Sequence, residues 1–168
     1  MDDIIDLELE KVDAIIKKIS ADPEDQDIRR VEISLWEKIR DKALQGRRTG
    51  LGITAEGDML AALGLTYGSA QAIDFAVQVQ KTLALEAYRT SVEMARQRGP
   101  FKIYDSHLEA GNPMIGRIRE ADPALYEDML KYGRRNIAML TIAPTGTTSI
   151  MSQTTSGIEP VFRPVYKR

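Results

Sequence analysis

The sequence predicts an α/β protein that is rich in helices and has parallel strands among them. Most of the chain carries apolar residues three and four positions apart, the spacing of amphipathic helices. One short apolar run, residues 137–143, is bounded by polar and helix-breaking residues, as in a strand buried on both faces. Helices combined with such a strand are typical of the α/β class. The 168 residues, 43% of them hydrophobic and 29% charged, correspond to a globular chain of roughly one domain.

Apolar spacing and capping residues place the predicted helices along the chain. The first is an N-terminal amphipathic helix whose apolar stripe runs from Ile5 to Ile19. Trp36, in the second helix, is expected to be a core residue. Residues 100–121 are predicted to be irregular, with a turn at 111–113 and an exposed His107. The other helical segments are 27–45, with Val31, Leu35, Ile39 and Ala43 on one side, 54–64, capped by Thr54, 69–98, capped by Ser69, and 122–133, capped by Asp122 before Pro123.

The composition excludes several classes of function. The chain has no cysteine, so it contains no disulfide, thiolate metal site or thiyl radical. Its single histidine, His107, argues against a multi-histidine metal site and a Ser-His-Asp triad, and no catalytic or metal-binding residue is predicted. A net charge of −2 gives no reason to expect nucleic-acid binding. Without an apolar run of about 20 residues or a basic N-terminal signal, no membrane association is expected and the predicted location is the cytoplasm.

Charge is unevenly distributed along the chain. Residues 1–30 hold ten acidic and five basic residues, a sum of −5, whereas residues 134–168 hold five basic residues and Glu159, a sum of +4. An anionic small ligand would be attracted to the second region. Two solvated faces of opposite sign would give the same pattern.

One segment has the composition of a phosphate-binding loop. It directly follows the predicted strand, and its glycine would let the backbone approach an anion while amides and hydroxyls donate to it. A helix beginning near Thr148 would add its N-terminal dipole. No lysine follows Gly146, so this is not a Walker-type loop, and a Ser/Thr-rich turn that caps a helix is the alternative. The residues of this 144–149 loop are Pro144, Thr145, Gly146, Thr147, Thr148 and Ser149.

Several segments resemble the large chain of ribonucleotide reductase. The most specific are residues 141–149, TIAPTGTTS, and 156–162, SGIEPVF, and their combination at this spacing is strong. Upstream, residues 48–53, 58–64 and 93–101 also match in the same order, so that the resemblance covers about 31–168. Thr145-Gly146 and the ending 165–168 are closest to class II, the adenosylcobalamin-dependent branch, since class I chains tend to have Ser-Glu in place of that pair.

The resemblance implies a fold, a site and partners. The implied fold is a helix-rich half of the family's ten-stranded α/β barrel, with residues 1–30 forming an N-terminal helix and linker and residues 31–168 the partial barrel domain. The implied role of the 144–149 loop is to hold the diphosphate of a nucleotide substrate. Glu159 is expected to shape the chain locally, and three arginines either add positive potential near the loop or are solvated on the surface: Arg134, Arg135 and Arg163.

The family's radical chemistry needs cysteines, which this chain lacks. The chain is therefore interpreted as a fragment or split subunit, inactive alone, of an enzyme that makes deoxyribonucleotides with adenosylcobalamin. Its expected partners are the remaining reductase polypeptide and, through exposed barrel edges, a second copy of itself. Two alternatives stay open: a stand-alone phosphate- or nucleotide-binding module without catalysis, and a purely structural helical scaffold.

Overall fold

The computed structural model describes residues 1–163, which form eight α-helices. The class II-like ending at 165–168 lies outside the described residues. No helix in the described part is long and apolar enough to cross a membrane. The helices are α1 (Asp2–Ser20), α2 (Gln26–Gly46), α3 (Glu56–Ala62), α4 (Ala70–Arg98), α5 (Ser106–Glu109), α6 (Pro113–Ala121), α7 (Pro123–Tyr132) and α8 (Gly146–Ser152).

The predicted α/β half-barrel is wrong for this chain, because residues 1–163 contain neither a sheet nor a barrel. The predicted strand at 137–143 is reduced to one isolated parallel bridge, between Leu51 and Leu140. Ile142, two residues after Leu140, is 67% exposed, whereas a strand buried on both faces would cover it. A lone extended pair is not a stable sheet, since independent stability needs three or more strands or a packed helix layer. The apolar run has the composition of a strand but lacks partner strands within the described chain.

The chain divides into two compact units, and α4 contributes to both. The first unit comprises Met1–Thr49 and Tyr88–Met139. The second comprises Gly50–Ala87 and the described residues from Leu140 onwards. The predicted boundary near residue 30 remains a prediction.

In the first unit, α1 and α2 pack against each other. The stripe on α1 is confirmed, since Ile5, Leu9 and Val12 are all buried. The apolar side predicted for α2 does not form a core: Val31 is 67% exposed, and Trp36 is only partly buried. Helical spacing alone identifies an apolar side but does not say whether the chain provides anything to cover it.

Arg134 lies in the interior of the first unit, so the alternative of a solvated surface group is wrong for it. Its side chain is 3% exposed and forms an ion pair with Glu109. The guanidinium also lies 5.4 to 5.8 Å from the ring centroids of Tyr88, Phe101 and Tyr104, within cation–π range. The residue therefore joins three aromatic side chains around one buried charge.

A second buried polar cluster surrounds Asp2. Arg47 Nε donates to Asp2 Oδ1 at 2.8 Å, and Arg135 Nε donates to Asp2 Oδ2 at 3.0 Å. Asn136 Nδ2 donates to the same carboxylate at 3.0 Å and to the Arg47 carbonyl at 2.9 Å. Ser91 Oγ bonds both the backbone and the side chain of Asn136. Arg135 is thereby paired within the first unit, and its side chain is 15% exposed.

The helix starts are partly as predicted. Asp122 accepts from the Leu125 amide at 3.0 Å, and Ser69 accepts from the Ala72 amide at 3.3 Å, so both predicted caps are confirmed. Thr54 does not cap α3, because the N-cap position is Ala55, which has a left-handed backbone with φ 69°. The stretch 100–121, predicted to be irregular, contains α5 and α6, and His107 is exposed as expected.

Candidate functional site

The 144–149 loop lies in the second unit and turns sharply into α8. Helix α8 begins at Gly146, two residues before the predicted start near Thr148. The turn is made by Thr145, whose φ of 43° and ψ of 27° place a β-branched residue in the left-handed region. Such a conformation persists only where surrounding contacts enforce it.

Two of the four loop hydroxyls are used to build the loop itself. Thr145 Oγ1 accepts a hydrogen bond from the Gly157 amide at 2.6 Å. Ser149 is 6% exposed, and its Oγ donates to the Gly146 carbonyl at 2.9 Å. Thr147 and Thr148 are exposed, and their hydroxyls make no hydrogen bond with residues 1–163. The structure thus separates hydroxyls that hold the turn from hydroxyls that face outward.

The backbone donors at the start of α8 are also free. The Ser149 amide donates to the Thr145 carbonyl at 2.9 Å, which closes the first helical turn. The amides of Gly146, Thr147 and Thr148 precede that bond and have no acceptor among the described residues. A Cβ added at Gly146 would meet no heavy atom within 4 Å, so the space beside this amide is open. The arrangement offers three amides and two hydroxyls to a group with several acceptor oxygens.

The SGIEP segment, residues 156–160, holds this turn in place through the backbone of Gly157. Gly157 donates to Thr145 and accepts from the Glu56 amide at 3.3 Å, and its φ is 54°. A Cβ there would lie 2.5 Å from Glu159 Oε2 and 3.3 Å from the Ala143 carbonyl oxygen. Glycine is therefore needed both for the backbone conformation and for the close approach. Glu159 lies directly beside this position.

Two acidic residues of α3 make long-range side-chain hydrogen bonds, and neither was given a role from the sequence. Asp58 Oδ2 accepts from the Thr155 amide at 2.8 Å. Glu56 is 7% exposed and accepts from Gln80 Nε2 at 2.8 Å. In sequence they read as ordinary first-turn acids of a short helix. Only their hydrogen bonds to residues distant in sequence distinguish them from other acidic residues at a helix start.

The chain leading into the loop passes very close to two glycines. A Cβ at Gly50 would be 3.0 Å from Thr141 Cγ2, and one at Gly52 would overlap the Thr141 carbonyl oxygen. The Thr141 amide in turn donates to the Leu51 carbonyl at 2.9 Å. The Gly-Leu-Gly sequence thus permits the backbone approach that fixes the entry to the loop.

The three arginines suggested by sequence do not all serve this loop. Arg134 and Arg135 are paired with Glu109 and Asp2 in the first unit. Arg163 is exposed in the second unit, with its guanidinium 5.9 Å from the Phe162 ring centroid. The donors identified around the loop, three amides and two hydroxyls, are neutral.

The family model and the similar proteins that match this chain all point to the same family. Residues 26–168 match the family described as "Ribonucleotide reductase, barrel domain". The vitamin B12-dependent ribonucleoside-diphosphate reductase of Mycobacterium tuberculosis (strain ATCC 25618 / H37Rv) is 30% identical over 132 residues, covering 78% of this chain and 16% of that protein. The enzyme of the same name from Thermoplasma acidophilum is 31% identical over 133 residues, covering 79% of this chain and 15% of that protein.

A relative whose name does not mention vitamin B12 is also similar to this chain. The ribonucleoside-diphosphate reductase subunit alpha of Helicobacter pylori (strain ATCC 700392 / 26695) is 26% identical over 142 residues, covering 75% of this chain. The match covers 18% of that protein. The chain therefore spans less than a fifth of the length of these curated relatives.

Proposed function

This chain belongs to the ribonucleotide reductase barrel-domain family, and from that premise we propose that its 144–149 loop holds the phosphate groups of a ribonucleotide. The reaction served is the reduction of ribonucleotides to deoxyribonucleotides, the precursors of DNA. The chain acts as a fragment or split subunit within a larger cytoplasmic reductase.

The observation that carries the proposal is the set of free donors at the start of α8. Three amides and the hydroxyls of Thr147 and Thr148 have no acceptor among residues 1–163. Phosphate oxygens accept several hydrogen bonds at once, and backbone amides bind them without a charged side chain. The open space at Gly146 is where an oxygen could approach the backbone.

Neutral donors assign this loop a binding role, not a chemical one. Amides and hydroxyls fix the position of an anionic group. They do not select the base of the nucleotide or the number of its phosphates. The buried Glu56 carboxylate accepts from Gln80, and the buried Ser149 hydroxyl donates within the loop, so both side chains are engaged in internal hydrogen bonds. Positioning the phosphate end orients the ribose for residues supplied by the remaining polypeptide.

The radical chemistry and the cofactor are assigned to that remaining polypeptide. Cysteines, which the family's chemistry needs, are absent from this chain. The donors around Thr145 are hydroxyls and amides, suited to an anion, and include no nitrogen base or thiolate for a corrin cobalt. They do not fit adenosylcobalamin, so the parent enzyme's cofactor would be held by the remaining polypeptide.

The experiment is a substitution that fills the open space beside the loop. The chain is co-expressed with the polypeptides encoded by neighbouring reading frames, and ribonucleotide reduction is assayed with adenosylcobalamin. Gly146→Val should raise KM for the nucleotide about tenfold or more, the loss expected from about 1.4 kcal/mol of binding energy. The readout is KM separated from kcat.

A matched control is Gly111→Val, because a Cβ at Gly111 also meets nothing within 4 Å. This variant should leave KM unchanged. An unaltered KM in Gly146→Val, with the assembly intact by sedimentation, would contradict phosphate binding at the loop.

A further inference from the structure

Helix α3 is bonded to the segment that follows α8, and both lie in the second unit. Asp58 Oδ2 accepts a hydrogen bond from the Thr155 amide at 2.8 Å. Two residues earlier in α3, the Glu56 amide donates to the Gly157 carbonyl at 3.3 Å. One bond therefore comes from a side chain and the other from the backbone, and together they hold residues 155–157 against the start of α3.

The start of α3 is itself fixed in place. A Cβ added at Gly57 would lie 2.6 Å from the Glu159 carbonyl oxygen and 2.7 Å from Pro160 Cα, so glycine lets the two backbones come into contact. The Glu56 carboxylate accepts from Gln80 Nε2 at 2.8 Å, which ties α3 to the long helix α4. Residues 155–160 thus rest on a support that is anchored elsewhere in the second unit.

Residues 155–157 connect this support to the 144–149 loop. The Gly157 amide donates to Thr145 Oγ1 at 2.6 Å. Thr145 has a φ of 43°, which a β-branched residue keeps only where contacts enforce it. Its carbonyl accepts from the Ser149 amide at 2.9 Å and so closes the first turn of α8. A shift of residues 155–157 would release the turn that presents the free amides of residues 146–148.

We propose that Asp58 is a positioning residue for the 144–149 loop. Its carboxylate holds Thr155, and the neighbouring Gly157 holds Thr145, so that the loop amides are oriented before a phosphate group binds. Donors that are already oriented bind an anion without the entropic cost of ordering the loop. The inference rests on the proposed function, because it gives the loop its orientation and not its ligand. Asp58 acts through the backbone of residues 155–157.

Hydrogen exchange on the full chain tests the link between α3 and the loop. Asp58→Ala should speed exchange at the Gly157 and Ser149 amides by about three- to tenfold, the equivalent of one net hydrogen bond, because the turn at Thr145 opens more often. A purely local role would speed exchange at Thr155 alone. Asp58→Asn keeps a side-chain oxygen as acceptor and should restore the original rates.

Kinetics of the co-expressed assembly test the consequence for the nucleotide. Asp58→Ala should raise KM by about three- to tenfold, and Asp58→Asn should bring KM back to within about twofold of the original value. A loss of folded chain would instead lower the apparent kcat at an unchanged KM, so the two constants separate positioning from stability. Asp74→Ala is the matched control, since it removes an exposed carboxylate of the second unit and should leave KM unchanged.

The outcomes separate this inference from the proposed function. A raised KM in Gly146→Val with an unchanged KM in Asp58→Ala would overturn the positioning role and leave phosphate binding at the loop intact. An unchanged KM in Gly146→Val would contradict phosphate binding and this inference with it. Faster exchange at Thr155 alone, or an equal rise of KM in Asp58→Asn and Asp58→Ala, would also overturn the role of the Asp58 oxygen as the acceptor that positions the loop.

Discussion

Among single residues, Asp2 is a buried carboxylate whose ionisation is linked to stability. Burial by itself would raise its pKa, but hydrogen bonds from Arg47 and Arg135 outweigh burial and hold the pKa of Asp2 below its usual value of 3.8. A carboxylate with a lowered pKa stabilises the folded state above the unfolded-state pKa. That stabilisation is lost as the pH falls below about 3.8 and through the folded-state pKa.

Asp2→Asn should therefore lower the free energy of unfolding at pH 7 by about 3 kcal/mol, because it leaves two arginines without their buried partner. The difference from the original chain should shrink as the pH falls below about 3.8 and Asp2 itself becomes protonated. Urea unfolding at a series of pH values measures both effects. Asp3→Asn is the control, since the Asp3 side chain is 76% exposed and should matter little. Equal losses in both variants would contradict a special role for Asp2.

Gly52 is a second residue whose identity is fixed by a contact. Gly52→Ala should lower the free energy of unfolding by about 1–3 kcal/mol, because its Cβ would overlap the Thr141 carbonyl oxygen. Gly111→Ala has open space around its Cβ and should change stability by less than about 0.5 kcal/mol. Thermal or urea unfolding of the pair checks this prediction. If Gly52→Ala were as stable as Gly111→Ala, the close approach of the two segments would be wrong.

At the scale of elements, the start of α6 shows that Asn112-Pro113 is compatible with either a turn or a helix start. Residues 111–113 predict a turn by composition, whereas Asn112 Oδ1 accepts from the Met114 amide at 2.9 Å and Pro113 is the first helical residue. A capping residue followed by proline was correctly predicted to start α7 at Asp122-Pro123. The difference lies downstream, because the residues after Pro113 have a shorter apolar pattern before the next break.

Asn112→Ala should lower the free energy of unfolding by about 1 kcal/mol, since the Met114 amide loses its acceptor. Asn112→Ser keeps a capping oxygen and should be nearly as stable as the original chain. Hydrogen exchange at Met114 gives a local readout of the same cap. No change in that exchange in Asn112→Ala would argue against the observed start of α6.

At the scale of the whole molecule, the proposed division of labour predicts inactivity in isolation. The chain alone, with adenosylcobalamin, a dithiol and ribonucleotides, should form no deoxyribonucleotide, and addition of the remaining reductase polypeptide should restore turnover. Nucleoside diphosphates should bind the isolated chain only weakly, because few contacts offset the loss of translational and rotational freedom. Micromolar binding by the isolated chain would instead favour a stand-alone nucleotide-binding module.

The sequence by itself determined the family, the position of most helices and the composition of the 144–149 loop. These depend on local features: apolar spacing for α1, capping side chains for α7 and the TIAPTGTTS and SGIEPVF segments for the family. Such features need only neighbouring residues to be recognised. The absence of cysteine likewise needed no structure.

Tertiary structure alone decided which residues are paired, covered or free. It placed Arg134 in the interior, left the apolar side of α2 exposed, and used Thr145 and Ser149 within the loop while leaving Thr147 and Thr148 outside. It also left residues 137–143 without a sheet among residues 1–163. The reason is that burial and strand pairing depend on partners distant in sequence, so an apolar run cannot specify by itself whether those partners are present.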